Sequence, residues 1–200
     1  MSQTLLVATH NQGKVKEFAE MLADLDVEWL SLDDIGLEKD VDETGLTFAE
    51  NAILKAEAYA AETGYFTLAD DSGLEVDALN GEPGIYTARY GGAGLDHEGR
   101  YRLLLKNMEG VVGEERSARF RCVIALATPE GLVGTADGVC EGLIAAAPAG
   151  DGGFGYDPVF FLPDRGVTMA QVPSSVKHQI SHRGRALKAI EPLLRKEVAK

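Results

Sequence analysis

Two long runs of strand-forming residues, Ala118 to Thr128 and Leu132 to Ala147, meet at Pro129-Glu130-Gly131. A turn this short joins strands only as an antiparallel hairpin. Upstream the pattern differs. Thr4 to Thr9 is an apolar run of strand length, Lys14 to Leu25 repeats its apolar residues at helical spacing, and Val27 to Leu30 fits a second strand. Thr47, with Glu50 three residues on, opens an Ala-rich helix that runs to Glu62 and stops at Gly64. Tyr65 to Ala69 reads as a strand that ends at Asp70-Asp71-Ser72-Gly73, and Asp96 to Met108 is helical again. Strands separated by helices pair in parallel, whereas the hairpin does not, so the expected fold is α/β with a mixed β-sheet. Tyr156 to Leu162 is expected as a further strand. Ser181 to Ala199 is expected as a closing helix that Pro192 bends or interrupts. With no repeat, low-complexity tract or linker in sight, residues 1–200 are taken as a single domain, with two lobes around a central cleft.

The chain's 200 residues are 45% hydrophobic, enough for a sizeable core. Its 32 acidic and 19 basic residues give a net charge of -13, which repels a nucleic-acid backbone or an anionic membrane surface. No stretch resembles a signal peptide or approaches the roughly 20 apolar residues that span a bilayer, so a cytoplasmic location is expected. Cys122 and Cys140 each fall inside a strand-like run and read as buried thiols rather than as a metal site or disulfide.

Several polar constellations interrupt this scaffold. Thr9-His10-Asn11-Gln12-Gly13-Lys14 lies between a strand and a helix, where backbone N–H groups and a lysine suit a phosphate. It is not a P-loop, because Ala8 stands where the first glycine belongs and Val15 where Ser or Thr should follow the lysine. Asp70 and Asp71 point in opposite directions on extended chain, so one can face a ligand while the other is tied into the scaffold. Such oxygen donors suit Mg²⁺, although a capped turn with solvated acids explains them as well. Glu43 precedes a helix, whose N-terminus favours a negative charge with or without a metal. Asn51 and Lys55 share one face of that helix at i, i+4, facing either a ligand or solvent. Gly150 to Gly155 spells GxGxxG, but a strand-like segment follows where the dinucleotide fingerprint needs a helix. Phe154 fits either a stacking platform for a base or the core, with Asp157 nearby. Lys177 and Ser181-His182-Arg183-Gly184 gather cations in an acidic protein, as an anion or carbonyl site or as a surface patch.

Taken in order, these segments resemble the XTP/dITP diphosphatase family, the inosine triphosphate pyrophosphatases. The likeness runs nearly end to end: Ala8 to Lys14, Glu43-Thr44-Gly45 with Thr47-Phe48, Glu50-Asn51-Ala52 leading to Lys55-Ala56, and Ala69 to Leu74. Pro83 to Tyr90, Gly153 to Pro158 and Ile180 to Gly184 complete it. Thr87 stands where the family often has Ser, and Val176-Lys177-His178 replaces the commoner Glu-Lys-Asn.

The resemblance implies an elongated body with a central active-site cleft, a homodimer, and hydrolysis of ITP, dITP or XTP to the monophosphate and pyrophosphate. Thr9, His10, Asn11, Gln12, Gly13 and Lys14 would line the nucleotide and phosphate site, and Lys55 would reach the triphosphate. Glu43 and Asp71 would hold Mg²⁺, and Asp71 would also take the proton of the attacking water, with Asp70 in support and Ser72 on substrate. Phe154, Gly155, Tyr156, Asp157, Lys177, His182 and Arg183 would form the base pocket. Donors there would fit the 6-keto oxygen of hypoxanthine or xanthine and be left unpaired by the amino group of adenine. On this reading Arg183→Ala raises KM for ITP far more than it affects folding. The remaining alternatives are a phosphatase that removes the terminal phosphate, and a nucleotide sensor without turnover.

Overall fold

The computed structural model describes residues 4–25 and 27–199. In chain order the elements are β1 (Thr4–Val7), α1 (Gln12–Met21), β2 (Glu28–Ser31), α2 (Phe48–Thr63), β3 (Phe66–Val76) and α3 (His97–Asn107). There follow β4 (Ser117–Thr128), β5 (Gly131–Ile144), β6 (Phe160–Leu162), β7 (Val167–Thr168), α4 (Ser174–Ile180) and α5 (His182–Val198). The strands form one sheet in the order β2-β1-β3-β4-β5-β6-β7. β1 is parallel to both β2 and β3, while β6 is antiparallel to β5 and β7. The expected mixed α/β architecture is therefore the observed one.

The chain divides into two compact units, one of Met1–Asp71, Cys122–Gly138 and Arg183–Lys200, the other of Ser72–Arg121 and Val139–His182. In the first, Leu5 and Val7 of β1, Phe66 and Leu68 of β3 and Cys122, Ile124 and Leu126 of β4 pack with Phe18 and Leu22 of the α1 region and with Ala186, Leu187, Ile190 and Leu194 of α5. In the second, Leu74 and Val76 of β3 and Ala118 and Phe120 of β4 pack with Leu104, Met108, Tyr156 and Phe160. β4 records the change along its length. From Ser117 to Arg121 buried and half-exposed residues alternate, as on a strand with one solvated face; from Cys122 to Ala127 every residue is buried.

Local chemistry sets α2. The Thr47 side chain accepts from the Glu50 amide, and the helix ends at Gly64, whose φ of 75° only glycine adopts without strain. Three expectations need correction. β3 does not end at Asp70 but continues to Val76, because partners remote in sequence neutralise its acids, as described below. Tyr156 to Leu162 is not one strand: Asp157–Val159 is a 3-10 turn with Pro158 inside it, and only Phe160–Leu162 pairs. Pro192 lies inside α5, which runs on through it, so of the two expected effects interruption does not occur.

Candidate active site

In the first unit, strand alternation separates the two adjacent aspartates. Asp70 has a fully buried side chain, with Lys14 Nζ at 2.9 Å and Arg183 Nη2 at 3.2 Å from its Oδ2. Arg183, 2% exposed, also donates through Nη1 to Glu17 at 2.6 Å. Asp71 belongs to a different group: Lys55 Nζ lies 3.0 Å from its Oδ1 and Asn51 Nδ2 donates to its Oδ2 at 3.3 Å. The i, i+4 pair of α2 thus converges on one carboxylate of β3. Lys55 also donates to Glu43 at 2.8 Å, and Gly45 N donates to the Asn51 side chain at 2.8 Å, which fixes the loop that carries Glu43.

These surroundings set opposite tendencies. Burial opposes ionisation of Asp70, but the charges of Lys14, Arg183 and Lys55 outweigh it and hold the group far below the usual carboxylate range. At Asp71 burial wins over Lys55 and Lys14, with the charge of Glu43 adding to it, and the carboxyl is pushed up. Burial would lower the Lys55 ammonium, yet Asp71, Asp70 and Glu43 hold it above its ordinary value. One aspartate is a fixed charge and its neighbour a carboxylate readier to take a proton.

The start of α1 is organised by Asn11, whose side chain accepts from the Lys14 amide while its own amide donates to Thr9 Oγ1. Gln12, Gly13 and Lys14 form the first helical turn rather than a loop. His10 Nδ1 and Gln12 Nε2 both contact Asp33, at 3.2 and 2.6 Å.

In the second unit, Asp157 Oδ2 accepts from the Phe154 amide at 2.8 Å and pairs with buried Lys177, whose ammonium lies 4.9 Å from the centre of the Phe154 ring. A side chain at Gly153, where φ is 70°, would collide with that carboxylate. Gly155 follows Phe154, and buried Tyr156 donates its hydroxyl to Thr87 O at 3.1 Å. His182 stacks on Phe120, with ring centres 4.7 Å apart. Ser72 belongs to this unit, on β3. Phe154, Asp157 and Lys177 are brought together.

Arg183 also bears on folding. Its removal leaves Asp70 and Glu17 buried without their guanidinium, a loss that costs about 3–5 kcal/mol where a buried ion pair is broken; folding cannot be spared. Sequence reasoning also passed over Glu17 and Asp33. Glu17 follows Lys14 by three residues and so shares its helical face, a signal that was present. Nothing in the sequence marks Asp33, since its partners are set by tertiary structure.

Glu43 and Asp71 present oxygen donors to the same ammonium, which fits a hard divalent cation bound through one or two carboxylates. Among the described residues no three His, Cys, Asp or Glu side chains gather as a closed metal site.

The sequence pattern of the Ham1 family matches residues 5–193. The dITP/XTP pyrophosphatase of Bacillus licheniformis is 48% identical over 190 residues, 95% of this chain and 97% of that protein. That of Bacillus subtilis is 47% identical over 189 residues, 94% and 96% of the two chains. Among solved structures, a HAM1 protein from Coxiella burnetii superposes with a TM-score of 0.86 at 39% identity, covering 97% of this chain and 99% of its own. The Staphylococcus aureus Ham1 protein gives 0.85 at 41%, covering 98% and 100%.

Proposed function

Because the chain belongs to the Ham1 family, we propose that it hydrolyses the nonstandard purine nucleotides ITP, dITP and XTP to the monophosphate and pyrophosphate, as a Mg²⁺-dependent cytoplasmic homodimer. The observation that carries the chemistry is the division of labour on β3, where Asp70 is locked between Lys14 and Arg183 while Asp71 faces Lys55 and Asn51.

Asp71 takes the proton of the attacking water; it faces Lys55 and Asn51, whereas Asp70 is pinned between Lys14 and Arg183. Lys14 and Lys55 offset charge on the triphosphate, and Thr9, His10, Asn11, Gln12 and Gly13 hold the phosphate and nucleotide side. Glu43 and Asp71 would hold Mg²⁺, which supplies charge neutralisation on the phosphate oxygens. Ser72 contacts substrate from the next position on β3. Phe154 stacks on the purine beside Gly155, Tyr156 and Asp157, and Lys177 and His182 offer donors to its 6-keto edge. The buried Arg183 serves the site from behind, by fixing Asp70. No helix among the described residues is long and apolar enough to cross a membrane.

Purified protein with Mg²⁺ should convert ITP, XTP and dITP, with GTP and ATP poor substrates, and identification of both products should return pyrophosphate and the monophosphate. Orthophosphate as the product would replace this reading with a terminal phosphatase. Asp71→Asn should lower kcat on the order of 10²–10⁴-fold, the range of general-base contributions, with an unchanged circular-dichroism spectrum. Near-normal ITP turnover by that variant would remove the proposed base.

A further inference from the structure

Thr87 lies in the Pro83 to Tyr90 motif, to which the proposed chemistry gives no task. It sits on the 3-10 segment Gly84–Arg89. Its hydroxyl accepts from the Leu74 amide at 2.9 Å and donates to Gly84 O at 2.6 Å, while its carbonyl accepts from the Tyr156 hydroxyl at 3.1 Å. Leu74 and Tyr156 are 0% and 4% exposed, so water does not readily replace these bonds. Burial also pushes the Tyr156 phenol up, which keeps its proton in place as the donor. The flanking residues extend the attachment: Val76 N donates to Glu82 O at 3.2 Å, and Glu75 and Pro83 form an isolated antiparallel bridge. Residues 82–87 are therefore laid along the last residues of β3.

Two segments with separate tasks meet at this one residue. Leu74 follows Ser72 by two positions and Asp71 by three. Tyr156 lies within Phe154–Asp157, which carries the stacking ring and the carboxylate that holds Lys177. We propose that Thr87 is a positioning residue for purine recognition: through its hydroxyl it is fixed to β3, and through its carbonyl it fixes Tyr156 and the Phe154–Asp157 loop. The inference rests on the reading that this loop contacts the base. Thr87 itself touches no substrate. Replacing its hydroxyl with a methyl group leaves the volume but strips the Leu74 amide of its acceptor, so the carbonyl that anchors Tyr156 is no longer held in place.

The test compares kcat/KM for ITP and ATP, together with melting temperature, in the wild type, Thr87→Val, Thr87→Ser, Tyr156→Phe and the Thr87→Val/Tyr156→Phe double variant. Thr87→Val and Tyr156→Phe should each reduce the ITP-over-ATP ratio about tenfold, and the double variant should be no worse than either, because the two groups act in series. Thr87→Ser, which restores the hydroxyl, should keep the ratio. A lowered melting temperature with an unchanged ratio in both single variants would reduce Thr87 to a brace of the fold, and multiplying losses in the double variant would break the series. Should Thr87→Val fail to fold, Tyr156→Phe, which keeps the buried ring, decides alone. A wild type without preference for ITP would remove the base-pocket reading and this inference together, whereas a preference that every variant preserves would remove only the role of Thr87.

Discussion

Burial raises the cost of ionising a carboxylate, and at Asp70 the charges of Lys14, Arg183 and Lys55 more than offset that cost. A carboxyl that titrates lower in the folded protein than in the unfolded chain stabilises the fold at every pH above its ordinary value of 3.8, and this contribution drains away as the pH falls below that value. The expected slope approaches about 1.4 kcal/mol per pH unit for one such group. Urea unfolding between pH 5 and pH 3 should therefore show wild-type stability falling more steeply below pH 4 than that of Asp70→Asn. Parallel curves would show that Asp70 is not the charge the network holds. Asp71 titrates in the other direction, since burial makes its proton easier to keep. Sequence alternation predicted that these two acids would part company; it did not identify their partners. Lys14, Arg183 and Asn51 lie between 20 and 113 residues from the acids they hold, and only the folded chain brings them near.

Elements here are held by bonds that propensity does not encode. Arg116, at the end of the 3-10 turn before β4, donates to the carbonyls of Met108 and Val111, which follow α3, at 3.2 and 2.8 Å. It also donates to Ile144 and Ala145 at the end of β5, at 2.6 and 2.9 Å. Four carbonyls lose a donor together in Arg116→Met, which should cost about 2–4 kcal/mol of stability by urea titration. Arg116→Lys should restore little, because one ammonium cannot span a fork of acceptors. A loss within about 0.5 kcal/mol, typical of surface positions, would contradict this. Such long-range clamps explain which elements were legible. The boundaries of α2 followed from Thr47 and Gly64 because capping is local chemistry, and the β4–β5 hairpin followed from its turn. The extent of β3 was hidden because Asp70 to Gly73 has the composition of a turn, and what keeps it extended comes from α1, α2 and α5. Ser174–Ile180 escaped notice because seven residues are too few to show helical periodicity.

At the scale of the whole molecule, the mixed sheet was foreseeable from one hairpin set among strand-helix repeats and two lobes were expected, while the points at which the chain passes from one unit to the other were not legible. Each unit is assembled from separate stretches of chain, and β3, β4 and β5 each contribute residues to both. The buried pattern of β4 changes at Cys122, where the chain passes from one unit to the other, a shift masked in the sequence by a run that is strand-like throughout. The Lys55 clasp also bears on the molecule as a whole. Since its ammonium already satisfies Glu43 and Asp71, the protein carries an internal substitute for divalent charge and should not need metal to stay folded. A chelator should silence turnover yet leave the thermal transition where it was, and activity should return when magnesium is added back without any refolding step. A melting temperature that collapses in chelator would mean that the two carboxylates depend on an ion after all. If it holds, this enzyme can be stored, stripped and reloaded at will.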